Sequence, residues 1–143
     1  MVAWPIEPEP ECPSVLITDD NTAWRDAVDD VLAREGFHTL QATCGEEAIA
    51  VVRTERLDIV LMDFHMPRLD GLETLQIIRE EDHWLPAVIM TAHPTDLPLI
   101  KIRALRIQRI LIKPANREQI LQTVTSLVRP HGHPDDEPPA DLP

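Results

Sequence analysis

The residues able to do chemistry stand at one kind of place in this chain, just after a short apolar run. Val15-Leu16-Ile17-Thr18 stops on Asp19-Asp20, Asp58-Ile59-Val60-Leu61-Met62 on Asp63, Ala87-Val88-Ile89-Met90 on Thr91, and Ile110-Leu111-Ile112 on Lys113. If these runs are neighbouring strands pointing one way, three carboxylates, a hydroxyl and an ammonium meet along one edge. Carboxylates that close repel one another unless a cation lies among them. An all-oxygen ligand set suits a hard ion, and Mg2+ held by one or two carboxylates with retained waters is the natural occupant. A carboxylate beside such an ion can attack a phosphoryl group to give an aspartyl phosphate. Lys113 would then balance the phosphoryl charge, and Thr91 would donate a hydrogen bond to it. Each residue also has a plainer reading. Acids ahead of a helix commonly cap it, Thr91 would serve equally as a solvated loop hydroxyl, and Lys113 before Pro114 as surface charge. Agreement among all four run ends favours the chemical reading of the set.

The elements that must position these residues follow from periodicity and punctuation. The stretch 57–72 reads LDIVLMDFHMPRLDGL; its apolar run is short and branched, as in a strand buried on both faces of a parallel sheet, with Asp63 at the carboxyl end. Pro67 bars a continuing strand, Gly71 supplies a flexible turn position, and Leu72, Leu75, Ile78 and Arg79 begin a helix over 72–82. Earlier, 21–34 carries Ala23, Ala27, Val28, Val31 and Leu32 on one helical stripe and stops at Gly36, a C-terminal cap. Residues 37–43 alternate as a less buried second strand, and 46–56 form an amphipathic helix with Ala48, Ile49 and Val52 inward. Pro94 and Pro98 leave a short fourth helix over 99–105. A last helix, 117–128, turns Ile120, Val124 and Leu127 inward and ends at Pro130. Five strands alternating with five helices make an α/β fold, a doubly wound parallel sheet. The simplest strand order is 2-1-3-4-5, with its switch point, and hence the ligand site, between the first and third strands.

Composition bounds the rest. A chain of 143 residues with 43% hydrophobic content builds one core. Seven of the 25 acids lie in 1–13 and 130–143, proline-punctuated segments without Lys or Arg that read as disordered tails around a domain over 14–129. A net charge of -12 argues against sequence-independent binding to nucleic acid or to an anionic membrane. Cys12 and Cys44 make no disulfide framework, no apolar run approaches membrane-spanning length, and no export signal is recognisable; the expected location is the cytoplasm.

Taken in order, D-D, D-F-H-M-P-R-L-D-G, T-A and K-P at the ends of strands one, three, four and five resemble the receiver domain of two-component response regulators, over roughly 14–129. The resemblance implies a flavodoxin-like fold and phosphorylation on Asp63. It implies Mg2+ bound by Asp20, Asp63 and the backbone carbonyl of His65, with Asp19 acting through water, and Thr91 and Lys113 binding the phosphoryl oxygens. His65 and His93 fall where the family varies the mouth of the site. It further implies a sensor histidine kinase or histidine phosphotransfer protein upstream and a protein target downstream, with no output domain of the chain's own and no enzymatic activity. Two departures bear on output. The Gly-Ala pair common before strand five is Arg106-Ile107, and the aromatic residue common three positions before the lysine is Ile110. A local positive run, Lys101, Arg103, Arg106, Arg109, Lys113 and Arg117, covers the segment the family uses for output. Other functions remain: an adaptor that works without phosphorylation, or a phosphohydrolase using Asp63, which the absence of a second acid at position 65 disfavours.

Overall fold

The computed structural model describes residues 12–128; the tail expectations for 1–13 and 130–143 therefore fall, except for Cys12 and Pro13, outside the described residues. Five strands, β1 (Ser14–Thr18), β2 (His38–Ala42), β3 (Ile59–Asp63), β4 (Ala87–Thr91) and β5 (Arg109–Ile112), alternate with five helices. The helices are α1 (Thr22–Arg34), α2 (Gly45–Thr54), α3 (Gly71–Glu81), α4 (Leu99–Ala104) and α5 (Arg117–Leu127), and a single 3-10 turn, Pro94–Asp96, precedes α4. All strand pairs are parallel in the order β2-β1-β3-β4-β5, the expected doubly wound arrangement.

The period-2 alternation of the strands sorts the core into two layers. Val15, Ile17, Ile59, Leu61, Val88, Met90 and Leu111 face α1 and α5, where Val28, Leu32, Ile120 and Val124 meet them. Leu16, Val60, Met62, Ala87 and Ile89 face the other way, against Ile49, Leu75, Ile78 and Ile102. Every residue of β3 and β4 is buried, so the two strands that end on Asp63 and Thr91 are the most firmly fixed in the sheet.

Helix ends are set by local chemistry. Asn21 caps α1 by accepting from the Trp24 amide. Gly36 ends it with φ 94, and the Phe37 amide reaches back to the Leu32 carbonyl. The inward stripe of α1 differs from the expected one. Arg25, Val28 and Leu32 are buried, whereas Ala23 and Ala27 are exposed. Alanine is small enough to sit on either face, so it was a poor marker of the stripe. At the other end of the sheet, α4 closes on Arg106 in the left-handed region, φ 57, with the Ile107 amide bonded to the Ile102 carbonyl. This is a glycine-type ending made without glycine. The Arg106 guanidinium lies 4.7 Å from the Trp84 ring centroid and donates to the His83 carbonyl. Among the described residues, no helix is long and apolar enough to cross a membrane.

Candidate functional site

Register decides what meets at the carboxyl edge. Thr18 pairs with Met62, Asp63 with Met90 and Thr91 with Ile112, so the residues that follow these positions emerge side by side. Asp19, Asp20 and Asp63 come together, with one carboxylate oxygen from each within 4.8 Å of the others. Asp19 is fully buried, Asp63 is 4% exposed and Asp20 faces solvent. Lys113 reaches across from the end of β5. Its Nζ donates to Asp63 Oδ1 at 3.1 Å and lies 2.7 Å from Asp19 Oδ2, a contact made by charge rather than by an aligned hydrogen bond.

The loops are tied so that these side chains cannot drift. The Asp19 amide donates to the Ala42 carbonyl, the Phe64 amide to Met90 and the Lys113 amide to Thr91. Asp19 Oδ1 accepts from the Asn21 amide at 2.8 Å, the first turn of backbone leading into α1. Asp70 caps α3 in a reciprocal capping box with Glu73. Gly71 was expected for turn flexibility, but its φ is not in the glycine-favouring region. It is needed for proximity: an added Cβ would stand 2.4 Å from the Asp63 carbonyl oxygen, and the Gly71 amide donates to the Phe64 carbonyl. Gly71→Ala should therefore push α3 off the Asp63 loop and cost about 1–3 kcal/mol, as overpacking against fixed backbone does. Urea unfolding would check this, and a neutral result would show that the loop can yield.

Burial and the neighbouring Asp19 charge push the Asp63 carboxyl up to about 6, against the pull of Lys113. Burial would by itself depress the Lys113 ammonium, but its contacts with Asp19 and Asp63 carry it above the ordinary lysine value. One ammonium thus faces three carboxylates, and the surplus negative charge, with oxygen as the only donor type, fits a hard divalent cation.

Around this pocket, Thr91 is buried and its hydroxyl accepts from the His93 amide at 3.0 Å. His65 and His93 approach edge to face, with ring centroids 6.2 Å apart, and His65 Nε2 lies 3.9 Å from Asp96 Oδ2. Ile110 stands apart from the pocket, on β5 opposite Ile89 and 36% exposed. Of the positive run, Lys113 turns into the pocket, while Lys101, Arg103, Arg106, Arg109 and Arg117 are exposed; Arg106 stacks on Trp84 and Arg117 pairs with Glu35. Two residues beside the pocket were not singled out from the sequence as part of it. Trp24 lies with its ring centroid 5.7 Å from Lys113 Nζ and donates its indole N–H to Met90 Sδ. Arg25 donates to the Asp19 carbonyl from inside the fold. A polar residue three before Val28 and seven before Leu32, on the same helical stripe, was the available signal for Arg25.

Comparisons with known proteins agree with this fold. The family model described as response regulator receiver domain matches residues 15–125. Sporulation initiation phosphotransferase F of Bacillus subtilis is 38% identical over 79 residues, which make up 55% of this chain and 64% of that protein. The CAI-1 autoinducer sensor kinase/phosphatase CqsS of Vibrio cholerae is 29% identical over 117 residues, 80% of this chain but 17% of that protein. The chain thus spans less than two thirds of these relatives. Among solved structures, the Vibrio cholerae chemotaxis protein CheY4 superposes with a TM-score of 0.76 at 26% identity, covering 82% of this chain and 99% of that one. The CheY of Borrelia burgdorferi, solved with CheX, BeF3 and Mg2+, gives a TM-score of 0.75 at 26% identity, covering 82% and 90%.

Proposed function

The chain belongs to the response regulator receiver domain family of two-component systems, and from that membership we propose that it accepts a phosphoryl group on Asp63, in the presence of Mg2+, and signals through protein partners. The observation that carries this reading is the Lys113 ammonium held against both Asp19 and Asp63 in a pocket that still has surplus negative charge. Supporting it, the Mg2+-containing complex of the Borrelia relative has the same fold at comparable identity to CheY4.

Each residue then has a task. Above pH 6 the Asp63 carboxylate is ionised, and one of its oxygens forms the new bond to phosphorus. The bond from phosphorus to the donor breaks, and the donor, a histidine imidazole or a small acyl phosphate, leaves with the electron pair. Lys113, bonded to Asp63 Oδ1, fixes the carboxylate plane and meets the charge on the phosphoryl oxygens. The Thr91 hydroxyl, oriented by the His93 amide, donates a hydrogen bond to one of those oxygens. Asp19, Asp20, Asp63 and the His65 carbonyl would hold Mg2+, which when bound draws charge from the phosphoryl oxygens. His65 and His93, at the mouth, govern access of water to the acyl phosphate, and Ile110 governs how far Thr91 is coupled to the α4–β5 face. A sensor histidine kinase or histidine phosphotransfer protein is the proposed donor, a protein target the proposed recipient of the signal, and the cytoplasm the proposed location.

A time course with acetyl phosphate and Mg2+, followed by intact mass and released phosphate, tests the proposal. The expected result is a label that persists after the donor is removed. No label would favour an adaptor working without phosphorylation, and rapid multiple turnover would favour a phosphohydrolase.

A further inference from the structure

We infer that Arg25 is a positioning residue for the acidic pocket, holding the backbone of Asp19 so that its carboxylate stays directed at Lys113 and Asp63. The inference rests on the reading of Asp19, Asp20 and Asp63 as a Mg2+ site.

Arg25 is 8% exposed on the sheet side of α1. A buried guanidinium keeps its charge at every accessible pH and needs acceptors in fixed directions. Here Nη1 donates to the Asp19 carbonyl at 2.6 Å and Nε to Gln41 Oε1 at 2.6 Å. The Gln41 amide is itself oriented, since Nε2 donates to Asp29 Oδ2 at 2.7 Å and more weakly to Asp26 Oδ1 at 3.4 Å. Asp19 is the first residue beyond β1. Its amide is held by the Ala42 carbonyl, its Oδ1 by the Asn21 amide and its carbonyl by Arg25. Those three contacts leave Oδ2 toward Lys113. Arg25 therefore does two things from behind the pocket: it fixes the peptide plane that aims the Asp19 carboxylate, and it places a positive charge against the Asp19 backbone. Residues that orient the ligands of a metal in this way typically change its affinity 10–100-fold.

The test is a Mg2+ titration followed by intrinsic fluorescence at pH 7.5, alongside urea unfolding in EDTA, for the wild type, Arg25→Gln, Arg25→Lys and Gln41→Leu. A glutamine at position 25 is too short to reach the Asp19 carbonyl. The Mg2+ dissociation constant should rise about 10-fold or more in Arg25→Gln. Arg25→Lys, which keeps charge and one donor, should recover part of that loss, and Gln41→Leu should show a smaller rise because the guanidinium is kept but loses its orientation. If Arg25→Gln does not fold, Gln41→Leu carries the same comparison from an exposed position on β2. A purely structural Arg25 would lower stability in EDTA while leaving the Mg2+ affinity of the folded protein unchanged in all three variants, and that result overturns the inference. A wild type that binds no Mg2+ overturns the metal reading itself, and this inference with it.

Discussion

Lys113→Met should destabilise the folded protein by about 3 kcal/mol at pH 8 and by roughly half as much at pH 5, because removing one partner of a buried ion pair strands the other. Lys113 is the cation that touches both Asp63 and the fully buried Asp19. Its own folded pKa is raised, so its contribution is fully present below the ordinary lysine value and is lost only as pH rises past the folded one. The pH dependence in the testable range therefore comes from Asp63. Below about 6 that carboxyl takes up a proton, and the variant then strands only Asp19. Proton uptake also limits the cost at higher pH, which keeps it at the lower end of the usual range. Urea unfolding at the two pH values measures the difference. A cost independent of pH would mean that Asp63 and Lys113 are not coupled as their 3.1 Å contact implies.

Asp63→Asn should act in the opposite direction and stabilise the metal-free protein by about 2 kcal/mol at pH 7.5. The folded-state pKa, about 6, lies above the ordinary 3.8. Between those values the folded protein holds a proton that the unfolded chain has released, so wild-type stability falls as pH rises from 4 to 6 and stays lower above that. Roughly two units at 1.36 kcal/mol each would give about 3 kcal/mol, reduced because asparagine forfeits the ionic contact with Lys113. The gain should vanish below pH 4. Adding Mg2+ should narrow it at pH 7.5, since a ligand that binds only the folded wild type stabilises it by mass action. If the variant in EDTA at pH 7.5 is less stable than wild type, the surplus of negative charge in the pocket has been misjudged. A residue that lowers stability where it sits is what a site built for a cation or a phosphoryl group should contain.

How much of this was legible in the sequence depended on the range over which the residues act. Four of the strands were readable because each is a brief apolar run with its own punctuation, the second because it alternates, and the acids because each stands at the end of such a run. A parallel sheet with one simple winding then brings the ends to one edge with no further information. Gly71 was noticed for a local reason and is required for a distant one, the approach of α3 to the Asp63 carbonyl. Arg25 was hidden by Ala23 and Ala27, which fit either face of a helix. Arg79 was read only as part of the helical pattern over 72–82; it is buried, and its guanidinium bonds the Leu85 and Leu105 carbonyls, tying the end of α3 to the end of α4. The positive run of 101–117 was legible, but not that Arg106 and Arg117 find Trp84 and Glu35, partners that only the folded chain brings near. Pairings of that kind leave no periodic trace.

The proposed role of Asp63 as the residue that carries the phosphoryl group is tested most directly by intact mass after incubation with acetyl phosphate and Mg2+, compared between wild type and Asp63→Asn. Wild type should gain one phosphoryl group, lose it under alkaline hydrolysis as an acyl phosphate does, and gain none in EDTA, while Asp63→Asn should remain at its starting mass. An Asp63→Asn protein that acquires the same label, or a wild type labelled equally well without a divalent cation, would contradict the assignment of this pocket.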